Sequence, residues 1–317
     1  MAGDPATGAR PSANRLGRAT PARMAEQAQV LGPTSHYFYS QRLKLHYVDW
    51  GNADERALLL LLHGGRDHCR SWDWVAADLR RDFHLIAPDL RGHGDSAWAV
   101  GSTYSMIDYV LDLAALLKTL DLFPITIIGH SLGARVALQY AGIYPDRVAR
   151  LVAIEGLGPP AGLTKPPSAA ARMLQWLREM QALARRHPKP YATLEEAITR
   201  MREANPHLTE EQARHLTVSG VIRHEDGTYA WKFDNFVRAV SPYLFNVDEA
   251  REIWSHVTCP VLLVRGSESW APDPEAEGHA AAFRHPHIMT VERAGHWVHH
   301  DQLTAFLRGV RGFLQTP

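Results

Sequence analysis

A chain of 317 residues, 45% apolar and 21% charged, can bury a substantial core and has the balance of an ordinary globular protein. Its 34 basic and 34 acidic side chains cancel, so bulk charge gives no ground for a nucleic-acid or anionic-membrane partner. The two cysteines, Cys69 and Cys259, exclude a disulfide framework and fit a reducing, cytoplasmic setting, and no apolar run approaches the roughly 18 residues of a membrane span.

Residues 1–33 are rich in Ala, Pro, Gly, Thr and Arg and poor in large apolar residues, which predicts a disordered tail. Alternation over 36–39 and 43–49 predicts a strand pair. Short apolar runs then recur along the chain. Residues 57–62 end in H-G-G, 83–88 in D-L-R-G-H-G-D-S, 125–128 in G-H-S-L-G, and 148–154 in E-G-L-G-P-P. Further on, 261–264 ends in R-G-S-E-S-W, and 288–291 leads into R-A-G-H-W. Runs this uniform predict strands covered on both faces, as in parallel sheets. Between them, 72–80, 106–120 and 132–143 carry apolar residues at helical spacing, so strands and helices alternate in the doubly wound manner.

The stretch 158–250 breaks this alternation. It contains an amphipathic helix over 169–186, capping pairs Thr193/Glu196 and Thr209/Gln212, and a hairpin signal at Asp226-Gly227 between Val221-Ile222 and 229–233. We therefore expect a core built from 34–157 and 251–317, with a mainly helical cap, 158–250, over the carboxyl edge of its sheet.

G-H-S-L-G, residues 129–133, has the G-x-S-x-G form and sits between a predicted strand and a predicted helix. That context suits a nucleophile elbow. The sharp turn lifts the Ser131 hydroxyl clear of the backbone at a helix N-terminus, where the Leu132 N–H favours a developing oxyanion. A second such N–H is expected from the loop after 57–62, at Gly65, with Arg66 behind it. His296, just after the last strand, is the general-base candidate. No metal site is expected. H-G-G-R-D-H has Gly65 where a zinc motif needs its middle His, and His296, His299 and His300 lack a supporting acid. The 18 histidines predict a protein that turns cationic in mild acid.

Taken in order, H-G-G, D-L-R-G-H-G-D-S, G-H-S-L-G and A-G-H-W-V-H-H-D-Q (294–302) resemble the α/β-hydrolase superfamily over roughly 36–315. The resemblance implies an α/β fold of eight mostly parallel strands with helices on both faces, Ser131 after the fifth strand, His296 after the eighth, and hydrolysis without a cofactor. Ser131 separates the chain from members with an Asp nucleophile, such as haloalkane dehalogenases and epoxide hydrolases. Asp95 and Ser96 are expected to brace turns near the site. The departure is the acid, because the usual position after the seventh strand maps onto Ser269. Glu155, at the end of the sixth strand, is the preferred replacement, Glu268 the runner-up and Asp273 a third choice. A strand as apolar as 148–154 rarely ends in a carboxylate without a partner.

The expected activity is serine-dependent cleavage of a carboxylic ester or related acyl bond in a small substrate with an apolar part. Trp176, Trp231, Phe233, Phe236 and Trp297 are expected to roof its pocket, with Arg66 nearby. Lactonase, thioesterase and C–C bond hydrolase activities of the same fold stay open, as does a catalytically inactive binding protein. Nothing in the chain fixes an oligomeric state.

Overall fold

The first described strands, β1 (Thr34–Ser40) and β2 (Leu43–Asp49), form an antiparallel hairpin. It turns on Gln41 and Arg42, both at positive φ (47° and 77°), as a two-residue hairpin of the primed type requires. The computed structural model describes residues 32–51, 57–102, 104–121, 123–158, 167–186, 188, 190–239, 241–243 and 245–315. The tail expected over 1–33 thus lies outside the described residues, apart from Gly32 and Pro33.

The remaining strands are β3 (Leu58–Leu62), β4 (His84–Pro88), β5 (Ile125–His130), β6 (Val148–Ile154), the short pair β7 (Val221–Arg223) and β8 (Tyr229–Trp231), β9 (Val261–Gly266) and β10 (Pro286–Val291). The helices are α1 (Asp73–Leu79), α2 (Met106–Leu120), α3 (Leu132–Ile143), α4 (Ala169–Arg185), α5 (Leu194–Ala204), α6 (Glu210–Gly220), α7 (Val247–Ser255), α8 (Val298–Asp301) and α9 (Leu303–Gln315). Eight strands form one sheet in the order β1-β2-β4-β3-β5-β6-β9-β10. The β1–β2 and β2–β4 pairs are antiparallel and all the others parallel.

Every residue of β3, β4 and β5 is buried, because helices cover both faces. The alternation of side chains sorts β3 between them. Leu58, Leu60 and Leu62 join a cluster with α2, α3 and α7, while Leu59 and Leu61 join one with α1 and α9. Each such enclosed Leu contributes roughly 1.5–3 kcal/mol relative to exposure.

Between β6 and α7 the described chain holds α4, α5, α6 and the β7–β8 hairpin. Gly227 takes φ 85° in that hairpin's loop, where the Asp-Gly pair predicts the turn. Thr209 and Gln212 complete their capping box. Thr193 accepts the Glu196 N–H, but the Glu196 carboxylate takes the Ala192 N–H instead of closing the box. Helix α7 begins at Val247, inside the range expected for the cap, and packs on the sheet-covering α3. A Cβ at Gly142 of α3 would stand 2.3 Å from the Ile253 carbonyl oxygen.

Burial also silences several histidines. His63, His93, His130, His299 and His300 are almost wholly enclosed, and desolvation is the main cause that pulls each below the ordinary imidazole range. His63 and His300 fall to about 3 and His93 to about 4. The native protein therefore gains less charge in mild acid than its 18 histidines suggest. Unfolding frees these rings to titrate near ~6.5, so below that pH the unfolded chain binds more protons than the folded one. Their contribution to stability is intact above ~6.5 and is lost as pH falls toward their folded values, by up to ~1.4 kcal/mol per pH unit for each ring. A series of melting temperatures from pH 7.5 to 5 is expected to drop with increasing steepness below about 6.5. A flat series contradicts this.

Candidate active site

Ser131 joins β5 to α3 with φ 49° and ψ −109°, a backbone conformation that L-residues avoid. Two glycines make the turn possible. A Cβ at Gly129 would lie 2.7 Å from the Ala134 backbone, and one at Gly133 would lie 2.3 Å from the Leu62 carbonyl oxygen. The elbow is tied to the strands on either side. The Ser131 N–H donates to the Ile154 carbonyl (2.8 Å), and the Gly133 N–H donates to the His63 carbonyl (3.1 Å). Among the described residues the Ser131 hydroxyl has no hydrogen-bond partner. It is half-buried and opens onto a cavity of about 740 Å³, which His296 also lines.

His296 lies on the loop between β10 and α8. Its Nδ1 is 3.3 Å from Oε2 of Glu155. Trp270 stacks on the imidazole at 4.6 Å between ring centres, with 27° between the planes. His130 holds the loop from below, its Nε2 2.9 Å from the His296 carbonyl oxygen. A carbonyl only accepts, so the neutral His130 ring carries its proton on Nε2. Asp301 pins the preceding residue by accepting the Gly295 N–H at 2.8 Å.

Glu155 follows β6 directly and holds φ 57°. Its side chain is fully enclosed. Oε1 accepts the Gly266 N–H at 2.6 Å, and Oε2 accepts the Ser269 hydroxyl at 2.6 Å. Ser269, where the family's usual acid is missing, thus donates to the carboxylate that reaches His296. The other two candidates point elsewhere. Glu268 is half-exposed, and its carboxylate lies 3.8 Å from Nε2 of His207. Asp273 accepts the Glu275 and Ala276 N–H groups and faces Arg265 at 3.5 Å.

Among the described residues, no hydrogen bond engages the N–H of Leu132 or Gly65, and both residues line the cavity. The loop carrying Gly65 is fixed by His63, whose Nδ1 donates to the Gly64 carbonyl (2.7 Å) and whose Nε2 accepts the Leu90 N–H (3.0 Å). Asp89 anchors the neighbouring loop. It accepts the Cys69 N–H at 2.7 Å, the Asp95 N–H at 2.9 Å and Nδ1–H of His46 at 2.7 Å. The Ser96 hydroxyl donates to the Asp89 carbonyl and accepts the His46 N–H. The bracing expected of Asp95 and Ser96 therefore centres on Asp89. His46, Cys69 and Asp89 are also grouped closely enough to suggest metal ligation. The donor atoms of His46 and Asp89 are committed to this network, and burial beside Asp89 pushes the Cys69 thiol up, away from the thiolate a metal needs.

Arg66, Trp231 and Trp297 line the cavity, and so does Phe233. Trp176 does not. It sits half-buried on α4, a helix with no fully buried residue, so the amphipathic pattern of that helix does not translate into a cavity wall. Phe236 is likewise absent from the lining. Sequence reasoning missed Trp270, Ser269, His130, Arg135 and Arg238. Arg135 carried a readable signal, since it follows Ser131 by one helical turn.

A serine at a strained elbow, a carboxylate-bound imidazole and two unengaged N–H groups around one cavity have the parts for acyl transfer. The alpha/beta hydrolase family model matches residues 59–308. The chain belongs to the α/β hydrolase family. Its serine-hydrolase relatives include the esterase Rv0045c of Mycobacterium tuberculosis, 31% identical over 93% of this chain and 94% of that protein. A serine hydrolase-like protein of Danio rerio is 26% identical over 84% of this chain and 83% of that protein. The thioesterase domain from the curacin biosynthetic pathway shares the fold, with a TM-score of 0.77 at 23% identity over 89% of this chain and 100% of that domain.

In this hydrolase the glycines around the nucleophile have unequal tolerance. Gly133→Ala must push backbone against backbone, whereas a Cβ at Gly65 meets nothing within 4 Å. Thermal melts are expected to show Gly133→Ala destabilised by roughly 1–3 kcal/mol or more and Gly65→Ala close to wild type. Equal melting temperatures for the two variants contradict the elbow packing.

Proposed function

We propose that this hydrolase cleaves carboxylic esters through an acyl-enzyme on Ser131, with His296 as general base and Glu155 as the acid that orients it. The observation that carries the reading is the contact of Glu155 Oε2 with His296 Nδ1, beside a serine facing the same cavity.

The Ser131 oxygen attacks the ester carbonyl as His296 Nε2 takes its proton. The carbonyl oxygen becomes an oxyanion held by the Gly65 and Leu132 N–H groups. Glu155 keeps the Nδ1 proton in place and stabilises the imidazolium. The tetrahedral species collapses, the alcohol leaves with the proton from His296, and the acyl group remains on Ser131. Water then attacks the acyl carbon, His296 removes the water's proton, and the acid departs as Ser131 regains its hydrogen. Removing one oxyanion donor from such a site costs about 10²–10³ in kcat. The chain between β6 and α7 supplies Met201, Trp231, Phe233 and Val237 to the wall, which supports its role as a cap that selects the substrate's apolar part. Cys69 and Cys259 are both buried and unpaired, which supports a reducing compartment such as the cytoplasm.

Ser131→Ala is expected to fold normally and lose at least about 10³ in kcat on a 4-nitrophenyl ester, and Glu155→Gln on the order of 10⁴. Glu268→Gln is expected to stay near wild type. A reactive phosphonate is expected to add once, at Ser131, by peptide mass mapping. Because Ser269 lies within reach of the same network, Ser269→Asp is expected to restore part of the activity lost in Glu155→Gln. A crippled Glu268→Gln beside a near-normal Glu155→Gln would falsify the assignment of the acid, and wild-type turnover in Ser131→Ala sinks the nucleophile.

A further inference from the structure

Four arginines line the cavity onto which Ser131 opens: Arg66, Arg135, Arg200 and Arg238. Among the described residues the lining holds one carboxylate, Asp301, and that group is already bonded to the Gly295 N–H. Arg200 pairs with Glu203 at 3.3 Å. Among the described residues, the guanidinium groups of Arg66, Arg135 and Arg238 have neither an ion pair nor a hydrogen bond.

Arg135 is the most telling of the three. It stands one turn beyond Ser131 on α3, about 6 Å along the helix axis. Its guanidinium lies over the Phe245 ring at 5.2 Å, and its Nε is buried with no partner. Burial lowers its pKa, and no carboxylate offsets that. Arg238 lies over Phe233 at 5.1 Å. Its pKa is lowered by burial first, then by the charges of Arg66, Arg186 and Arg200.

Three unpaired cations thus line one half-enclosed space, with Arg66 and Arg238 close enough to repel each other, an arrangement that costs the fold energy on its own. A cation–π contact with an aromatic face engages a guanidinium without using up its N–H donors. Those donors match the paired oxygens of an oxyacid. We infer that the substrate of this hydrolase carries an anionic oxyacid group, a carboxylate or a phosphate, which seats against Arg135, Arg238 and Arg66 while the ester carbonyl lies at Ser131. This inference rests on the ester-hydrolase reading of the site and names the class of ester it takes. Met201, Trp231, Val237, Trp270 and Trp297 belong to the apolar part of the wall.

The test uses three 4-nitrophenyl esters of matched acyl length, ending in a carboxylate, in the methyl ester of that carboxylate, or in a phosphate. Wild type is expected to prefer one charged ester over the capped one by at least about tenfold in kcat/KM, and which one it prefers separates carboxylate from phosphate. Arg135→Gln, Arg238→Gln and Arg66→Gln are each expected to lower that preference, chiefly through KM. Losses of about tenfold to a hundredfold fit the removal of a charge-assisted contact. Added salt is expected to shrink the preference. Arg81→Gln, on the surface beyond α1, removes the same charge and is expected to keep it. Binding of glutarate and of inorganic phosphate to Ser131→Ala, by calorimetry, reads the anion site without turnover. One of the two is expected to bind, and to stop binding when Arg135→Gln and Arg238→Gln are added.

Equal rates on charged and capped esters, or no anion binding to Ser131→Ala, overturn the inference and leave the hydrolase reading standing. Anion binding without turnover of any ester overturns the hydrolase reading and upholds the anion site. Arg135→Gln is expected to melt no lower than wild type, because it removes an unpaired buried charge. If it melts lower and loses charged and capped esters alike, Arg135 is a structural residue, and the inference fails unless Arg238→Gln and Arg66→Gln still erase the preference.

Discussion

A carboxylate shut away from water costs several kcal/mol unless donors surround it. The fully enclosed Glu155 has three, from the Gly266 backbone, the Ser269 hydroxyl and the His296 ring. Much of the site's shape follows from meeting that demand. Gly266 must present its N–H while the His296 loop crosses so near that a Cβ there would stand 2.3 Å from the Ala294 and Gly295 carbonyl oxygens. The end of β9, the end of β6 and the loop after β10 are therefore one interlocked unit. A change that displaces any of the three moves the other two.

The sheet gathers these groups because parallel strands all finish at one edge. Ser131 follows β5, Glu155 follows β6, Ser269 and Trp270 follow β9, His296 follows β10, and the Gly65 loop follows β3. Open α/β sheets place their ligand sites at this edge for the same reason. The positive φ values of Ser131 and Glu155, 49° and 57°, each cost on the order of 1–3 kcal/mol. The strands beneath them, buried along nearly their whole length and packed on both faces, supply the stability that holds those conformations.

Legibility in the sequence tracked burial. Strands β3, β4 and β5 announced themselves as apolar runs because both faces are covered, and the G-x-S-x-G pentad declared the elbow. Strand β10 starts two residues before its apolar run, because its first residues, Pro286 and His287, are exposed and carry no hydrophobic signal. Helix α4 has an amphipathic pattern yet buries nothing fully, so Trp176 could not be placed from spacing. Glu155 could be favoured over Glu268 on strand position and reach, but the backbone turn that aims its side chain depends on a φ no composition reveals. Ser269 looks like a vacant acid position in the sequence, because a hydroxyl donating to a distant carboxylate leaves no local pattern. The buried histidines mislead in the opposite sense: their number suggests charge, whereas their surroundings keep them neutral.

The unpaired arginines bear on the end of the catalytic cycle as much as on its start. Each ester that is cut leaves an acid that ionises at neutral pH, so every turnover deposits a new negative charge in a cavity whose wall carries Arg66, Arg135 and Arg238. Groups that draw an anion inward also resist its escape. Where that escape is slower than bond breaking, departure of the product sets the pace, as lid opening or product release does in many enzymes. Dissolved ions weaken attraction in a cavity open to solvent. The kinetic mark of such a trap is a kcat that climbs together with KM as ionic strength rises, an enzyme that works faster in brine because it lets go sooner.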